Sequence, residues 1–177
     1  MNHPVLPNAP LVETQHAPEF ELVVDWKQMS AADAAAVRTF WLEERAIVVE
    51  GAIAKRLLEV VMHARTADGR IAAVCTAALA TPPALGQPVY YWRIFVGSAW
   101  RATKLIRTLL NRSCALLGEF AKANDYPGIG ILLELQNTRF GETLRRPVWS
   151  NPNFVYLGSA AGGREMRIHY FPDVQLK

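Results

Sequence analysis

Glu134 interrupts the otherwise almost wholly apolar run of residues 128–137, GIGILLELQN. A carboxylate in apolar surroundings is a stronger base than one in water, so Glu134 is suited to take a proton from an ammonium nucleophile, directly or through water. Its plainer reading is a paired acid at the solvent edge of a sheet. Tyr90 and Tyr91 sit side by side in the run VYYWRIFV. A phenol there can donate a proton to a leaving group, although aromatic residues in strands more often pack. Arg101, Lys104 and Arg107 cluster where a helix is expected to open. Positive side chains oppose the dipole at that end and so require an anion, an acidic neighbour or simple solvation. Arg139, Arg145 and Arg146 form a second basic group that could clamp phosphate or carboxylate, with solvated loop charge as the plainer reading.

Other chemistries have less support. His3, His16, His63 and His169 are scattered, without ligand spacing and without an adjacent cysteine or acid cluster, so no metal is expected. There is no G-x-S-x-G, Walker loop or G-x-G-x-x-G. Cys75 and Cys114 offer at most one disulfide, which a chain of 177 residues does not need. Both are read as reduced and buried, as in a cytoplasmic protein. The excess of 19 basic over 16 acidic residues, a net charge of +3, is too mild to argue a nucleic-acid partner. The proline-dense start, MNHPVLPNAPLVETQHAPEF, has neither a basic leader nor a long apolar run, so neither a signal peptide nor a membrane span is expected. It reads as an arm over residues 1–18, followed by one domain over 19–177.

The elements that must carry these residues follow from pattern. Residues 20–26 (FELVVDW) read as a strand. Ser30 with Asp33 opens a helix that places Val37, Phe40 and Trp41 on one face, and a second short helix lies within 47–57, its boundary near Gly51. Residues 58–66 alternate and run into Asp68-Gly69, a pair suited to a tight hairpin turn, so RIAAVCTAALAT is the returning strand. Residues 89–96 complete an antiparallel meander, with Tyr90, Trp92, Ile94 and Val96 on one face and Tyr91, Arg93 and Phe95 on the other. An amphipathic helix aligns Leu105, Leu109, Leu116 and Phe120 with Ile106, Leu110, Cys114 and Leu117, and ends at Asn124-Asp125. The run 128–137 is that of a strand covered on both faces, consistent with a parallel neighbour. FVYLG and EMRIHYF, joined at Gly162-Gly163, form a final hairpin.

This order over about residues 20–171 resembles the GNAT acyltransferase superfamily. The stretch KRLLEVVMHARTADGRIAAVCTAAL looks like that family's second and third strands. The join after Val96 is more specific, because the family's fourth strand ends in a valine followed by an R/Q-x-x-G-x-G/A loop that cradles the coenzyme A pyrophosphate. The equivalent six residues here are Arg101, Ala102, Thr103, Lys104, Leu105 and Ile106. The arginine is kept, but Lys104 and Ile106 fill the glycine positions, where side chains crowd a phosphate that glycine would let approach the backbone. Lys104 offers a charge contact in exchange. Asn137 matches the start of the family's N-x-x-A, whereas Phe140 replaces the alanine and Leu144 stands where a tyrosine usually follows. No carboxylate lies in the fourth strand, where many relatives place a general base.

The resemblance implies an α+β fold, a mixed, mostly antiparallel central sheet flanked by helices, with strands splayed at a donor cleft. It implies transfer of an acyl group, acetyl foremost, from a CoA thioester to a small-molecule or peptide amine. Ile94, Phe95, Val96, Arg101, Ala102, Thr103, Lys104, Leu105, Ile106 and Asn137 would bind the donor, and Glu134 would be the base. The N–H groups near Val96 would polarise the thioester carbonyl. No metal, nucleic acid or membrane partner is implied, and a homodimer stays open. One alternative keeps the fold but takes the acyl group from acyl carrier protein, as in enzymes similar to N-acyl amino acid synthases, because a carrier presents no pyrophosphate. Another is a GNAT-like ligand-binding or interaction module without transfer activity.

Overall fold

All seven strands expected from the sequence occur among residues 20–83, 85–101, 104–136, 146–160 and 162–176, which the computed structural model describes. They are β1 (Phe20–Val24), β2 (Val60–Thr66), β3 (Ile71–Ala80), β4 (Val89–Val96), β5 (Gly130–Glu134), β7 (Phe154–Ser159) and β8 (Glu165–Tyr170). An eighth, the two-residue β6 (Val148–Trp149), was not legible in the basic stretch that contains it and pairs with β7. The helices are α1 (Ala31–Glu43), α2 (Glu50–Leu57) and α3 (Leu105–Ala123), with a single 3-10 turn at Ser98–Trp100. The expected N-terminal arm lies outside the described residues.

The strands form one mixed sheet in the order β1-β2-β3-β4-β5-β8-β7-β6. Every pairing is antiparallel except β4 with β5, where α3 makes the crossover that a parallel neighbour requires. Ser30 caps α1, its hydroxyl accepting from the Asp33 N–H at 3.0 Å. The β2–β3 turn closes on Gly69 at φ +83°, a conformation natural to glycine.

Both faces of the sheet are covered. Val37, Phe40 and Trp41 of α1 and Ile53 of α2 pack on Val60, Ile71 and Val74. On the opposite face α3 packs on Met62, Ala64, Ala73, Cys75 and Ala77, small residues that let the helix approach closely. The alternation read over 58–66 therefore does not separate a wet face from a dry one, since six of the seven β2 residues are buried. The α3 stripe also differs from the one expected. Leu105, Leu109, Ser113, Leu117 and Ala121 repeat every four residues into the core, while Ile106 is 38% exposed. Ser113 belongs to the core because it accepts a hydrogen bond from the Trp92 indole at 2.9 Å.

A polar network joins the start of α1 to the sheet. His63, fully buried on β2, holds the Asp25 carboxylate at 2.7 Å through Nδ1. Its Nε2 lies 3.2 Å from an Arg65 nitrogen, and a guanidinium can only donate, so Nε2 accepts and the ring carries its proton on Nδ1. Arg65 also donates to Asp33 at 2.5 Å. The sequence showed no acid cluster near any histidine, and 38 residues separate the two partners. With Asp25 and His63 both out of solvent, the pair is a structural tie. Removing Asp25 leaves the buried His63 N–H unmatched, which costs about 1–3 kcal/mol. Asp25→Ala should lower the unfolding free energy by about that amount in urea titrations, and a loss below ~1 kcal/mol would show that the pair does not anchor α1.

Candidate active site

β4 and β5 pair at only two positions, Tyr90↔Ile131 and Tyr91↔Leu132, and then separate. β4 follows β3 over eight residue pairs, while β5 follows β8 from Gly130↔Tyr170 to Glu134↔Met166, so each strand is held by its outer neighbour as the two diverge. Between them opens a cleft of about 1150 Å³, walled by Ile94 and Phe95 of β4, Leu133 and Glu134 of β5, Ile106 and Leu110 of α3, and Trp149 beyond β5.

The hydrogen-bond phase of β4 decides what its backbone presents there. The Gly97 N–H donates to the Ala72 carbonyl at 2.9 Å, which makes that pair a bonded one in the β3–β4 register. By antiparallel alternation the backbone groups of Phe95 and Arg93 then point to β3, and those of Ile94 and Val96 point to the side where β5 has departed. The Val96 carbonyl accepts from Arg101 Nε at 3.5 Å. Of the N–H groups around Val96, that of Gly97 is thus committed to β3, and that of Ser98 donates to the Glu44 carboxylate at 3.1 Å. The Val96 N–H faces the cleft.

Arg101, Lys104, Ile106 and Arg107 line the cleft at the opening of α3, joined by Arg146 from the far side. No side chain caps this helix at Lys104. The Leu105 side chain turns away into the core, and Val96 is buried there too, so both can meet a ligand only through their backbone. Ala102, Thr103 and Asn137 lie outside the described residues, as do Arg139 and Arg145.

Glu134 stands on the cleft wall with two partners, accepting a hydrogen bond from the Tyr91 hydroxyl and pairing with Arg164. Burial and the bond to Glu134 raise the Tyr91 hydroxyl above the ordinary phenol range, which keeps its proton on at neutral pH. Tyr90 points to the other face, into the core beside Trp26 and Phe171. Of the two tyrosines, only Tyr91 reaches the cleft. Arg93 stacks on the Tyr91 ring at 4.2 Å, and both Arg93 and Arg56 lie near Glu59, none of which the sequence singled out. Arg56 lies in the last turn of α2, and only the packing of that helix against the sheet turns it to the cleft.

No protein-family model and no curated protein sequence matches the chain. Solved structures do. The ribosomal-protein-S5-alanine acetyltransferase of Vibrio fischeri is 12% identical, over 90% of this chain and 97% of its own, with a TM-score of 0.59. A GNAT-family acetyltransferase of Listeria monocytogenes is 16% identical, over 85% and 94%, at a TM-score of 0.52. A Corynebacterium glutamicum protein described as histone acetyltransferase HPA2 and related acetyltransferase is 18% identical, over 89% and 98%, at a TM-score of 0.54. The fold is that of the GNAT acetyltransferases.

The two cysteines contribute no nucleophile to this site. Both are buried free thiols. Burial pushes the Cys75 thiol up to about 11 and the Cys114 thiol up to about 12. Since the thiolate is the reactive form, both stay protonated and inert at neutral pH. An aromatic disulfide reagent should label neither in the native protein at pH 8 and both after unfolding in urea. Rapid native labelling would contradict the packing around α3.

Proposed function

We propose that the chain is an N-acyltransferase that moves an acyl group, acetyl foremost, from a CoA thioester to an amine in the cleft between β4 and β5. The observation that carries this reading is the backbone of Ile94 and the Val96 N–H, which β5 no longer pairs, facing a cleft whose far end is basic, in a chain with the GNAT fold. A donor with amides along its arm and phosphates at its end matches that layout, adding to the β4 edge as a strand would. Arg101, Lys104 and Arg107 would hold the anionic end, the Val96 N–H would pair with an amide of the arm, and the Ile94 N–H, nearer Glu134, would donate to the reacting carbonyl oxygen.

The donor supplies an activated acyl group, and the chain supplies position and protons. Glu134 takes the proton from the incoming ammonium, directly or through one water, so that the free amine attacks. Tyr91, protonated and within the same hydrogen-bonded pair, can give a proton to the departing sulfur. Close placement of the two reactants supplies much of the rate. The domain is proposed to span residues 19–177 behind an arm over 1–18, in a cytoplasmic protein. No helix among the described residues is long and apolar enough to cross a membrane.

One observation favours a carrier protein as donor. Lys104 and Ile106, exposed at the opening of α3, occupy the places where glycines would let a pyrophosphate reach the backbone. Calorimetric titration of wild type and Lys104→Gly with acetyl-CoA and with an acylated carrier separates the donors. Tighter acetyl-CoA binding by the variant supports CoA, while weaker carrier binding supports the carrier. Absence of binding in all four titrations refutes acyl transfer and favours a non-catalytic module. With a donor established, Glu134→Gln should lower kcat by about 10²-fold or more with little change in donor KM, and a wild-type rate would remove Glu134 from the chemistry.

A further inference from the structure

We propose that the acceptor is an amine bearing an oxyanion, and that the guanidinium groups of Arg56 and Arg93 bind that oxyanion inside the cleft. The amine half of this statement rests on the transferase reading; the oxyanion half rests on the arginines. Both side chains line the cleft, Arg56 from the last turn of α2 and Arg93 from the middle of β4. They converge on a single atom, Glu59 Oε2, at 3.2 Å from Arg56 and 3.7 Å from Arg93.

One carboxylate cannot neutralise two guanidiniums, and the remaining contacts do not compensate. Arg56 reaches the Thr76 hydroxyl at 3.5 Å, and Arg93 lies over the Tyr91 ring at 4.2 Å. Each guanidinium has five N–H donors in a fork shaped for an oxyanion, so these contacts leave donor capacity over. The surrounding charges do not change the balance: Glu134 from β5 is paired with Arg164 from the turn before β8. The cluster holds three guanidiniums against two carboxylates, an excess of one positive charge.

Solvent does not fully dissipate that charge. The Arg56 and Arg93 side chains are 28% and 40% exposed, beside the apolar wall of Trp41, Ile47 and Val74. Burial, and then repulsion from Arg93, push the Arg56 guanidinium below its ordinary value. An anion between the two relieves both effects.

The position suits an acceptor better than the phosphates of a donor. Arg93 lies two residues from Tyr91 on the same face of β4, about 7 Å along a strand. An oxyanion between the arginines therefore leaves an amine a few bonds away within reach of the Tyr91–Glu134 pair. Val96 is a further three residues, about 10 Å, along the strand, and the basic opening of α3 lies beyond it. Two anions can thus be held at once.

The test compares matched amines with acetyl-CoA as donor: alanine against alaninamide for a carboxylate, and 2-aminoethyl phosphate against ethanolamine for a phosphate. The oxyanion member of at least one pair should be preferred tenfold or more in kcat/KM, and the pair that responds identifies the anion. Arg93→Gln and Arg56→Gln should each reduce the preference to threefold or less by raising acceptor KM, and Arg93→Lys should restore part of it. A second measurement needs no turnover: calorimetric titration of wild type and Arg93→Gln with N-acetylalanine, N-acetylalaninamide and 2-acetamidoethyl phosphate. Binding confined to the anionic compounds and lost in the variant supports the oxyanion site even without acetyl transfer, in which case the transferase reading fails alone. Equal use of both members of each pair, or no selective binding where no turnover is seen, overturns the proposal.

Discussion

The divergence of β4 from β5 is the constraint on which the rest of this molecule depends. A parallel pair that stayed in register would bond β4 to β5 along its whole length and leave no room between them. Here the pairing ends after Tyr91↔Leu132, because β3 and β8 hold the two strands on separate courses. Gly130 shows how tightly the second course is set: a β-carbon there would lie 2.2 Å from the His169 carbonyl oxygen, so β5 can sit this close to β8 only with glycine at that point. Divergence opens the cleft and at the same time unsatisfies the strand edge within it. A buried peptide group without a partner is costly, so an edge like that of Ile94 and Val96 is maintained where water or a ligand completes it.

Charge is distributed along this cleft in a way that follows from the two layers around the sheet. α3 brings Arg101, Lys104 and Arg107 to one end, and α2 brings Arg56 over the middle, opposite Arg93. Among the described residues the one acid on the wall, Glu134, is neutralised by Arg164 and receives a hydrogen bond from Tyr91. A basic cleft whose described carboxylate is already engaged is suited to anionic ligands, and it leaves a carboxylate and a phenol side by side near the point of divergence. The same dipole argument that makes positive residues unfavourable at a helix opening explains why Lys104 and Arg107 gain most when an anion is present.

Away from the cleft, three described polar ties serve cohesion. The Asp25–His63 pair would look like a catalytic dyad in isolation, but both groups are sealed beneath the start of α1, away from the cleft. Arg38 and Glu50 join α1 to α2 through two hydrogen bonds, and Glu44 ties the end of α1 to Ser98 just after β4. Gly97 allows that approach, since a β-carbon there would meet Glu44, Phe40 and the Ala72 carbonyl. The α1–α2 wall of the cleft is therefore fixed to the strand that carries it.

The sequence alone determined the local elements and their order. Ser30 and Asp33 mark a helix start, Asp68-Gly69 a hairpin, Gly162-Gly163 the last turn, and the apolar run before Glu134 a strand covered on both faces, each through interactions within a few residues. Glu134 and the basic opening of α3 were legible for the same reason, being a charge in an apolar run and a cluster within one helical turn. What only the tertiary structure decided depends on contacts between distant segments. Tyr91 bonds Glu134 across 43 positions, and His63 bonds Asp25 across 38. Arg56 and Arg93 meet at Glu59 because α2 packs across β2 and β3. Even which tyrosine faces the cleft required the register, since adjacent residues in a strand point to opposite faces and only packing says which face is the working one.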